Sequence, residues 1–431
     1  MNEAVVLLVV FGVLLLAGVP IAFTLGLAAF AALAVSLSPG SAATVLAQRL
    51  ATGLDSFALL AIPFFILSGN LMNRGGIAAR LVELAKVVVG RLPGGLAYVN
   101  VLANMLFGAV SGSAAAAAAA NGGFMAPLMK REGYDRDFGA AVNISSAVTG
   151  LLIPPSNVMV VYSLASGGVS IAALFVAGYV PGILLGLVLM LVGGRIAKQR
   201  GYPVGERVGL AAALRILWSA TPSLALILVV MGGIILGWFT PTEASAVAVL
   251  YTFVLAVLVY REVKWNDLPR LVADSAATTA VVLLLIGASM GLSWVLSSAN
   301  IPQAVTAALL KLTDDKLLLL LLINVLLLVV GTFMDMTPAV LIFTPILLPV
   351  VQKFGVDPIH FGLIMIFNLC IGLCTPPVGS VLFIGCSVAR TTLRQVIRPL
   401  LPFFAAMVIV LMLVTYVPAL SLWLPTLLGL K

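Results

Sequence analysis

The stretch GLLIPPSN at residues 150–157 interrupts one long apolar segment, and GLCTPPVG at residues 372–379 interrupts another. Both read Gly-Leu-x-x-Pro-Pro, at an offset of 222 residues. Proline has no backbone N–H and disfavours helical geometry in the residue before it. Carbonyls upstream of each proline pair therefore lose their helical partners. In hydrocarbon such backbone is tolerated only where it is buried in protein or lines a cavity.

The composition around these stretches is that of an all-α, polytopic membrane protein. Of the 431 residues, 62% are hydrophobic and 9% charged, and the mean hydropathy is +1.22. A membrane-spanning helix needs about 20 apolar residues, and the chain contains many such runs. The ten-residue alternation of outer-membrane barrels is absent. The chain has no HExxH and no phosphate-binding GK[ST] motif, so we predict neither an enzyme nor a nucleotide-driven pump, and no bound cofactor.

The basic residues predict the topology. Most of the 23 lysines and arginines fall into five clusters, at residues 74–91, 130–136, 195–215, 261–270 and 390–398. Cytoplasmic loops are enriched in these residues. Placing all five clusters inside predicts a multi-pass membrane protein, surrounded by lipid, with a cytoplasmic N-terminus and a C-terminus on the outer side. The net charge of +8 then requires no nucleic acid partner.

This threading divides the chain into five parts: an N-terminal span (1–51, with the span itself at 4–35), a first repeat (52–200), connecting spans (201–267), a second repeat (268–420) and a C-terminal tail (421–431). In the first repeat we predict a span at 52–72, an inner surface helix at 74–91, a re-entrant hairpin at 93–129, a broken helix at 138–166 and a span at 171–194. The connecting spans are predicted at 214–237 and 243–260. In the second repeat we predict a span at 272–298, an outer surface helix at 301–312, a hairpin at 314–352, a broken helix at 358–389 and a span at 396–418.

The two repeats share residues in the same order. Asn100 aligns with Asn324 at an offset of 224, and Gly150 aligns with Gly372 at 222. The threading places the first hairpin on the inner side and the second on the outer side, so we predict inverted repeats. Inverted repeats with broken helices are typical of secondary transporters, whose sites lie near the membrane midplane.

Each hairpin tip, at 108–116 and at 331–339, is expected to face one break. Freed carbonyls and hydroxyls are suitable ligands for a hard cation, and helix N-termini favour an anion. The first predicted cation site comprises Ser111, Ser113, Gly150, Ile153 and Pro155. The second comprises Gly331, Asp335, Thr337, Gly372, Thr375 and Pro377. The predicted substrate contacts are Ser113, Asn157, Asp335 and Thr337.

Simpler interpretations remain open for several of these residues. A Pro-Pro pair can merely kink a packed helix, and Asp335 could be a carboxylate near water at the outer mouth rather than an intramembrane functional group. Glu243, after Thr240, fits a helix cap. His360 is predicted to be a solvated loop residue.

Six longer stretches together resemble one family, the large membrane subunit of tripartite ATP-independent periplasmic (TRAP) transporters of the C4-dicarboxylate or sialic-acid type. They are FALLAIPFFILSGNLMNRGGIAARL (57–81), GAVSGSAAAAAAANGGFMAPLMKREGYDRDFGAAV (108–142), IPPSN (153–157), GWFTPTEASAVAVLY (237–251), GTFMDMTPAVLIFTPILLPV (331–350) and GLCTPPVGSVLF (372–383). The resemblance covers essentially the whole chain. One departure is the run from Ala114 to Ala120, which offers no polar side chains to a substrate.

The resemblance implies an elevator-type fold in the bacterial inner membrane, so that the C-terminus is periplasmic, and Na⁺-coupled import of a small organic acid. It implies Na⁺ at the two predicted cation sites, a small four-helix membrane subunit and a periplasmic substrate-binding protein as partners. Two other hypotheses stay open: a stand-alone symporter or antiporter of organic anions on the same scaffold, and a membrane scaffold or channel without coupled transport.

Overall fold

The computed structural model describes residues 3–205, 208–376 and 379–431. Every regular element in these ranges is a helix, and the one β-bridge joins Pro93 to Val204. Eight helices in the described residues are long and apolar enough to cross a membrane, or nine when one bent pair is counted as a span. The prediction of an all-α polytopic membrane protein is confirmed.

The helices of the first part are, in chain order, α1 (Glu3–Leu16), α2 (Ile21–Ser36), α3 (Pro39–Leu54), α4 (Ala61–Arg74), α5 (Ile77–Val89), α6 (Gly95–Ser111), α7 (Ala114–Arg131), α8 (Arg136–Ala147), α9 (Thr149–Leu152), α10 (Asn157–Ala165) and α11 (Ile171–Gln199). A 3₁₀ turn precedes α4, at Phe57–Leu60.

The remaining helices are α12 (Leu210–Ile235), α13 (Pro241–Phe253), α14 (Leu268–Ser298), α15 (Ile301–Leu312), α16 (Lys316–Phe333), α17 (Met336–Lys353), α18 (Pro358–Gly372), α19 (Ser380–Ala389), α20 (Leu393–Tyr416) and α21 (Ala419–Leu427). Helix α13 continues as a π-helical segment at Val254–Val259. Helix α21 lies mostly in the predicted C-terminal tail and packs against α11.

The N-terminal region differs from the prediction of a single span at 4–35. The chain breaks after α1, where Gly18 has φ +75° and Pro20 precedes α2. A left-handed glycine and a proline two residues later cannot continue a helix. Helices α1 and α2, of 14 and 16 residues, pack against each other. Residues 39–54, for which no helix was predicted, form α3, which begins at the capping residue Ser38 and packs against α14.

Helices α6 and α7 form one helical hairpin and α16 and α17 form another, whereas their re-entrant course in the membrane stays a prediction. Helices α6 and α7 meet at Gly112, which has φ +59°, and Ser113 caps α7 by accepting the N–H of Ala116 at 3.3 Å. Helices α16 and α17 meet at Met334 and Asp335, and Asp335 is the N-cap of α17. The tips thus lie inside the predicted ranges 108–116 and 331–339.

Both predicted broken helices are interrupted at their proline pairs. The segments 136–152 and 157–165 are bent by 51° across residues 153–156. In the second half, α18 ends at Gly372 and α19 begins at Ser380. Pro377 lies outside the described residues.

The elements of residues 61–199 and 268–416 follow in the same order. Each set contains a span, a shorter helix, a hairpin, an interrupted helix and a final span. The first half of each interrupted helix packs on its own hairpin (α8 on α6, α18 on α16), and the second half packs on the other hairpin (α10 on α17, α19 on α7). This arrangement interlocks the two sets. Their inverted orientation in the membrane stays a prediction.

Two glycine pairs bring each hairpin into backbone contact with its broken helix. A Cβ added to Gly372 would lie 2.6 Å from the backbone of Gly331, and one added to Gly150 would overlap the backbone of Gly108. Small residues allow such close helix crossings in membranes. The crossings place each tip next to its break.

Buried amides hold the same helices together. The amide group of Asn104 in α6 donates to the Ser146 hydroxyl of α8 at 2.7 Å, and that of Asn368 in α18 donates to Asn324 Oδ1 of α16 at 2.6 Å. All four side chains are buried. A buried amide left without its partner costs about 1–3 kcal/mol, so these bonds favour one register of the hairpin on its helix.

Two minor predictions have opposite outcomes. The cap at Glu243 is confirmed, because Thr240 and Glu243 form a reciprocal capping box.

The prediction of a solvated His360 is wrong: the residue is 2% exposed and its Nε2 lies 3.2 Å from the carbonyl oxygen of Thr415. Asp357 caps α18 and Pro358 starts it, so His360 falls within the first helical turn. That turn packs against α20 and α21.

The Gly331–Gly372 crossing can be tested by substitution. We expect Gly372→Ala to destabilise the protein by about 1–3 kcal/mol, because the added Cβ meets backbone atoms that cannot rotate away. Thermal unfolding of the purified protein measures the loss.

The matched control is Gly232→Ala in α12, where an added Cβ meets nothing within 4 Å. This change should leave the melting temperature unaltered or raise it, because alanine favours a helix by about 0.5–1 kcal/mol over glycine. Equal melting of Gly372→Ala and the wild type would show that the crossing tolerates a side chain.

Candidate transport site

The two hairpin tips and the first helix break meet at one cavity of about 290 Å³. Helices α4 and α14 form the opposite wall. The polar residues that line it are Asn70, Ser111, Ser113, Asn157, Thr278, Asp335, Thr337 and Ser380. The cavity is thus bounded by both repeats and by the spans that precede each hairpin.

The first tip is tightly constrained. A Cβ on Gly112 would lie 3.1 Å from the carbonyl oxygen of Pro155, so the tip backbone lies against the break. On its other side, a Cβ on Gly69 in α4 would lie 3.0 Å from the carbonyl oxygen of Ser111. The hydroxyl of Ser111 lies 3.5 Å from both the N–H and the carbonyl oxygen of Ser113. Serine oxygens and backbone carbonyls are therefore concentrated at this point.

The first break leaves oxygens without protein partners. Gly150 and Leu151 have Pro154 and Pro155 four residues later, where a helix would supply the N–H donor. Just beyond, Ser156 Oγ and Asn157 Oδ1 are buried and have no hydrogen-bond partner among the described residues. Buried polar atoms are normally satisfied, so each such atom indicates a ligand or an ordered water.

The second tip supplies the only carboxylate among the described residues that line this cavity. Asp335 is exposed on the cavity wall, next to the backbone N–H of Met336 and the hydroxyl of Ser380. Thr337 follows it in the first turn of α17. A carboxylate with hydroxyls around it is a suitable ligand set for a hard cation.

The second break is more internally bonded than the first. The carbonyl of Gly372 accepts the N–H of Thr375 at 2.9 Å, and the carbonyl of Leu373 accepts those of Val381 and Leu382 at 3.2 and 3.3 Å. The Thr375 hydroxyl donates to the Ile371 carbonyl at 2.7 Å. A hydroxyl that donates in this way still has lone pairs for a cation.

The predicted residues divide into two groups. All four predicted substrate contacts, Ser113, Asn157, Asp335 and Thr337, line the cavity, as does Ser111. The other described residues of the predicted cation sites lie behind the wall: Gly150, Ile153, Pro155, Gly331, Gly372 and Thr375. Their assignment to cation binding stays a prediction.

Four polar residues at or beside the cavity were not predicted: Asn70, Ser156, Thr278 and Ser380. Ser156, Asn70 and Ser380 lie inside stretches already singled out (153–157, 57–81 and 372–383), so a search of these stretches for polar side chains would have found them. Thr278 lies in a span with no such signal, and only the packing of α14 against α17 brings it to the site.

Comparison with known proteins agrees with this geometry. The family model described as the DctM component of the tripartite ATP-independent periplasmic transporter matches residues 8–420. A protein of Salmonella typhimurium named uncharacterized protein YgiK is 54% identical over 97% of this chain and 96% of its own length. The C4-dicarboxylate TRAP transporter large permease protein DctM of Pseudomonas aeruginosa is 41% identical, with 93% of each chain covered.

The solved structure of the YdaH transporter of Alcanivorax borkumensis is similar in fold, with a TM-score of 0.63 over 89% of this chain and 88% of that one. Its sequence identity is 14%, so this similarity concerns the fold alone. The family match over nearly the whole chain carries the assignment: the protein belongs to the DctM family, the large membrane component of tripartite ATP-independent periplasmic transporters.

Proposed function

We propose that this chain is the large transmembrane subunit of a secondary, Na⁺-coupled importer of a small organic acid. The observation that carries the proposal is the central cavity, where two hairpin tips and a broken helix present oxygen ligands and helix N-termini beside one carboxylate. The C4-dicarboxylate named for the Pseudomonas aeruginosa relative supports an organic acid as cargo. Sialic acid or another carboxylate would use the same chemistry.

The oxygen atoms at the tips fit Na⁺. Ser111 and Ser113 flank Gly112, whose backbone lies against the carbonyl of Pro155, and the unpartnered Ser156 Oγ and Asn157 Oδ1 follow Pro155 in the chain. Asp335, Thr337 and Ser380 form the corresponding set at the second tip. Neutral oxygens with at most one carboxylate suit a monovalent cation, because little excess charge has to be compensated.

The same cavity can receive a carboxylate from the cargo. Helices α7, α10 and α17 begin at Ala114, Asn157 and Met336, which all line the cavity, so three helix N-termini lie at its wall. Helix N-termini stabilise anions. A cation bound at each tip would offset the charge of Asp335 and attract the cargo. In our proposal this is the coupling: the anion binds well only after Na⁺ has bound.

We propose that access alternates by movement of the hairpins and broken helices against α4 and α14. The cavity lies between these two groups, and Gly69 lets the tip carbonyl of Ser111 approach α4 closely. Sliding along such a seam would expose the cavity first to one side and then to the other. A small four-helix membrane subunit would complete the static part, and a periplasmic binding protein would deliver the cargo.

The second candidate is a stand-alone symporter or antiporter of organic anions. The YdaH transporter, whose fold is similar, keeps this candidate open. It differs from the first in one measurable respect, since it would take up cargo without a soluble binding protein.

Na⁺ binding is tested most directly by thermal stability in NaCl against choline chloride. A ligand that binds only the folded state adds RT ln(1 + [L]/Kd), about 2.7 kcal/mol at a hundredfold excess over Kd. We expect NaCl to raise the melting temperature of the wild type and to raise that of Asp335→Asn much less, because one cation ligand has lost its charge.

Glu132→Gln is the matched control. Glu132 is an exposed carboxylate beyond the end of α7 and lines neither tip. Its Na⁺ response should equal that of the wild type. Equal melting of the wild type in both salts would remove Na⁺ as the coupling ion.

Uptake into proteoliposomes separates the two candidates. The chain is reconstituted with the proposed small membrane subunit, under an inward Na⁺ gradient, with labelled succinate outside. We expect uptake only when the purified periplasmic binder is added and only when the gradient is present. Uptake of equal rate without the binder would favour the stand-alone transporter.

A further inference from the structure

A second cavity lies at the far ends of two helices that begin at the transport site. It has a volume of about 430 Å³ and lies between α7, α8 and α19. Helix α7 starts at the first tip and α19 starts beside Asp335, whereas their C-terminal halves, from Gly122 and from Gly385 onward, line this cavity. The two cavities have no lining residue in common. We call it the basic cavity.

The rim of the basic cavity carries excess positive charge. Lys130, Arg136 and Arg390 line it, and among the described residues none of the three has a carboxylate oxygen within 4 Å. The one acidic residue in its wall is Asp135, which is 3.6 Å from Arg200 and accepts the N–H of Asp137 at 2.8 Å. Asp135 is therefore already engaged with groups outside the cavity.

The floor supplies a buried donor. Asn100 lines the cavity and is 1% exposed, and the only acceptor for its amide N–H₂ in the described residues is Met129 Sδ, at 3.6 Å. A thioether is a weak acceptor. The amide of this lining residue thus keeps hydrogen-bonding capacity. Burial raises the pKa of the neighbouring Tyr134 to about 12, so its hydroxyl adds no negative charge at neutral pH.

Helix dipoles account for only part of this arrangement. Lys130 lies in the last turn of α7, where a cation is favoured. Arg136 is the first residue of α8, whose N-terminus is already capped by Asp135. A buried amide and three cations without carboxylate partners surround the same space. A bound anion would satisfy all four groups.

We propose that the basic cavity binds a small organic anion with one or two carboxylates, on the face that the basic clusters place in the cytoplasm. Bound there, the anion bridges α7, α8 and α19, which belong to different repeats and meet where Gly122 faces Val388. Occupancy restrains the two helices whose other ends form the transport site. The importer is thereby slowed by the acid that it accumulates. The choice of a carboxylate rests on the proposed function, whereas the existence of an anion site does not.

Site-directed labelling locates the anion. In Gly123→Cys the new thiol lies in the cavity wall, and an added Cβ there meets nothing within 4 Å. The native cysteines, Cys370, Cys374 and Cys386, are all buried. The full chain is placed in nanodiscs of zwitterionic lipid, in choline rather than Na⁺ salts, and treated with a maleimide. We expect succinate to slow the labelling of Gly123→Cys, compared with chloride at equal ionic strength.

Gly40→Cys on α3 is the control for general effects of the anion, because it has equal space and lies elsewhere. Succinate should not change its labelling. Equal slowing at both positions would overturn the proposal.

Charge removal tests the rim. Lys130→Gln with Arg390→Gln should weaken protection by succinate by about tenfold or more, because both substitutions remove a charge-assisted hydrogen bond to the anion. Arg131→Gln with Arg394→Gln removes two nearby charges that do not line the cavity and should leave protection intact. If both double variants lost the same amount of protection by succinate, the effect would come from the overall charge of this face, and the proposed site would be wrong.

Two further measurements test whether the protection arises from succinate in the transport site or from a lipid headgroup in the basic cavity. Protection must survive Asp335→Asn, because loss there would place the anion in the transport site. Protection by phosphatidylglycerol in the nanodisc, with none by succinate, would assign the basic cavity to a lipid headgroup and overturn a soluble ligand. Since all arms omit Na⁺, failure of coupled transport would not alter their outcome.

Discussion

The contact on which this architecture depends is backbone against backbone, where Gly108 meets Gly150 and Gly331 meets Gly372. At these crossings the two helix backbones lie too close together for any side chain larger than the hydrogen of glycine. Each crossing holds a hairpin tip beside a helix that has lost its own hydrogen bonds, so the unsatisfied oxygens remain shielded by protein. Buried asparagines one or two turns away set the register. The two features act together, because a crossing at the wrong register would leave amides unpaired in an apolar interior.

The exchange of partners between the two halves explains why the site belongs to neither. Helix α10 packs on the second hairpin and α19 on the first. A displacement of one tip must therefore move the broken helix of the other half. This geometry links the polar side chains of one tip to those of the other without a direct contact between them. It also relates the central cavity to the basic cavity, since α7 and α19 contribute to both.

Much of the fold could be predicted because its determinants are local. The paired prolines act within a few positions and marked both breaks. The clusters of basic residues and the apolar runs between them gave the ranges of the hairpins. The apolar run at 4–35 is long enough for one span, and this length led to the prediction of a single helix despite Gly18 and Pro20. The burial of His360 and the approach of Thr278 depend on helices far away in sequence. The lack of a hydrogen-bond partner at Ser156 Oγ could not be predicted, because hydrogen-bond partners depend on how the helices pack.

The stretch Ala114–Ala120 forms part of the cavity wall, where Ala114, Ala115 and Ala116 are in contact with the central space. Methyl groups fill volume but impose no direction on what lies against them. A wall of this kind limits the size of a molecule in the cavity but does not select its stereochemistry or its hydroxyl pattern. Such a subunit can change cargo over evolutionary time without a compensating substitution in this helix, provided that the protein which presents the cargo changes instead.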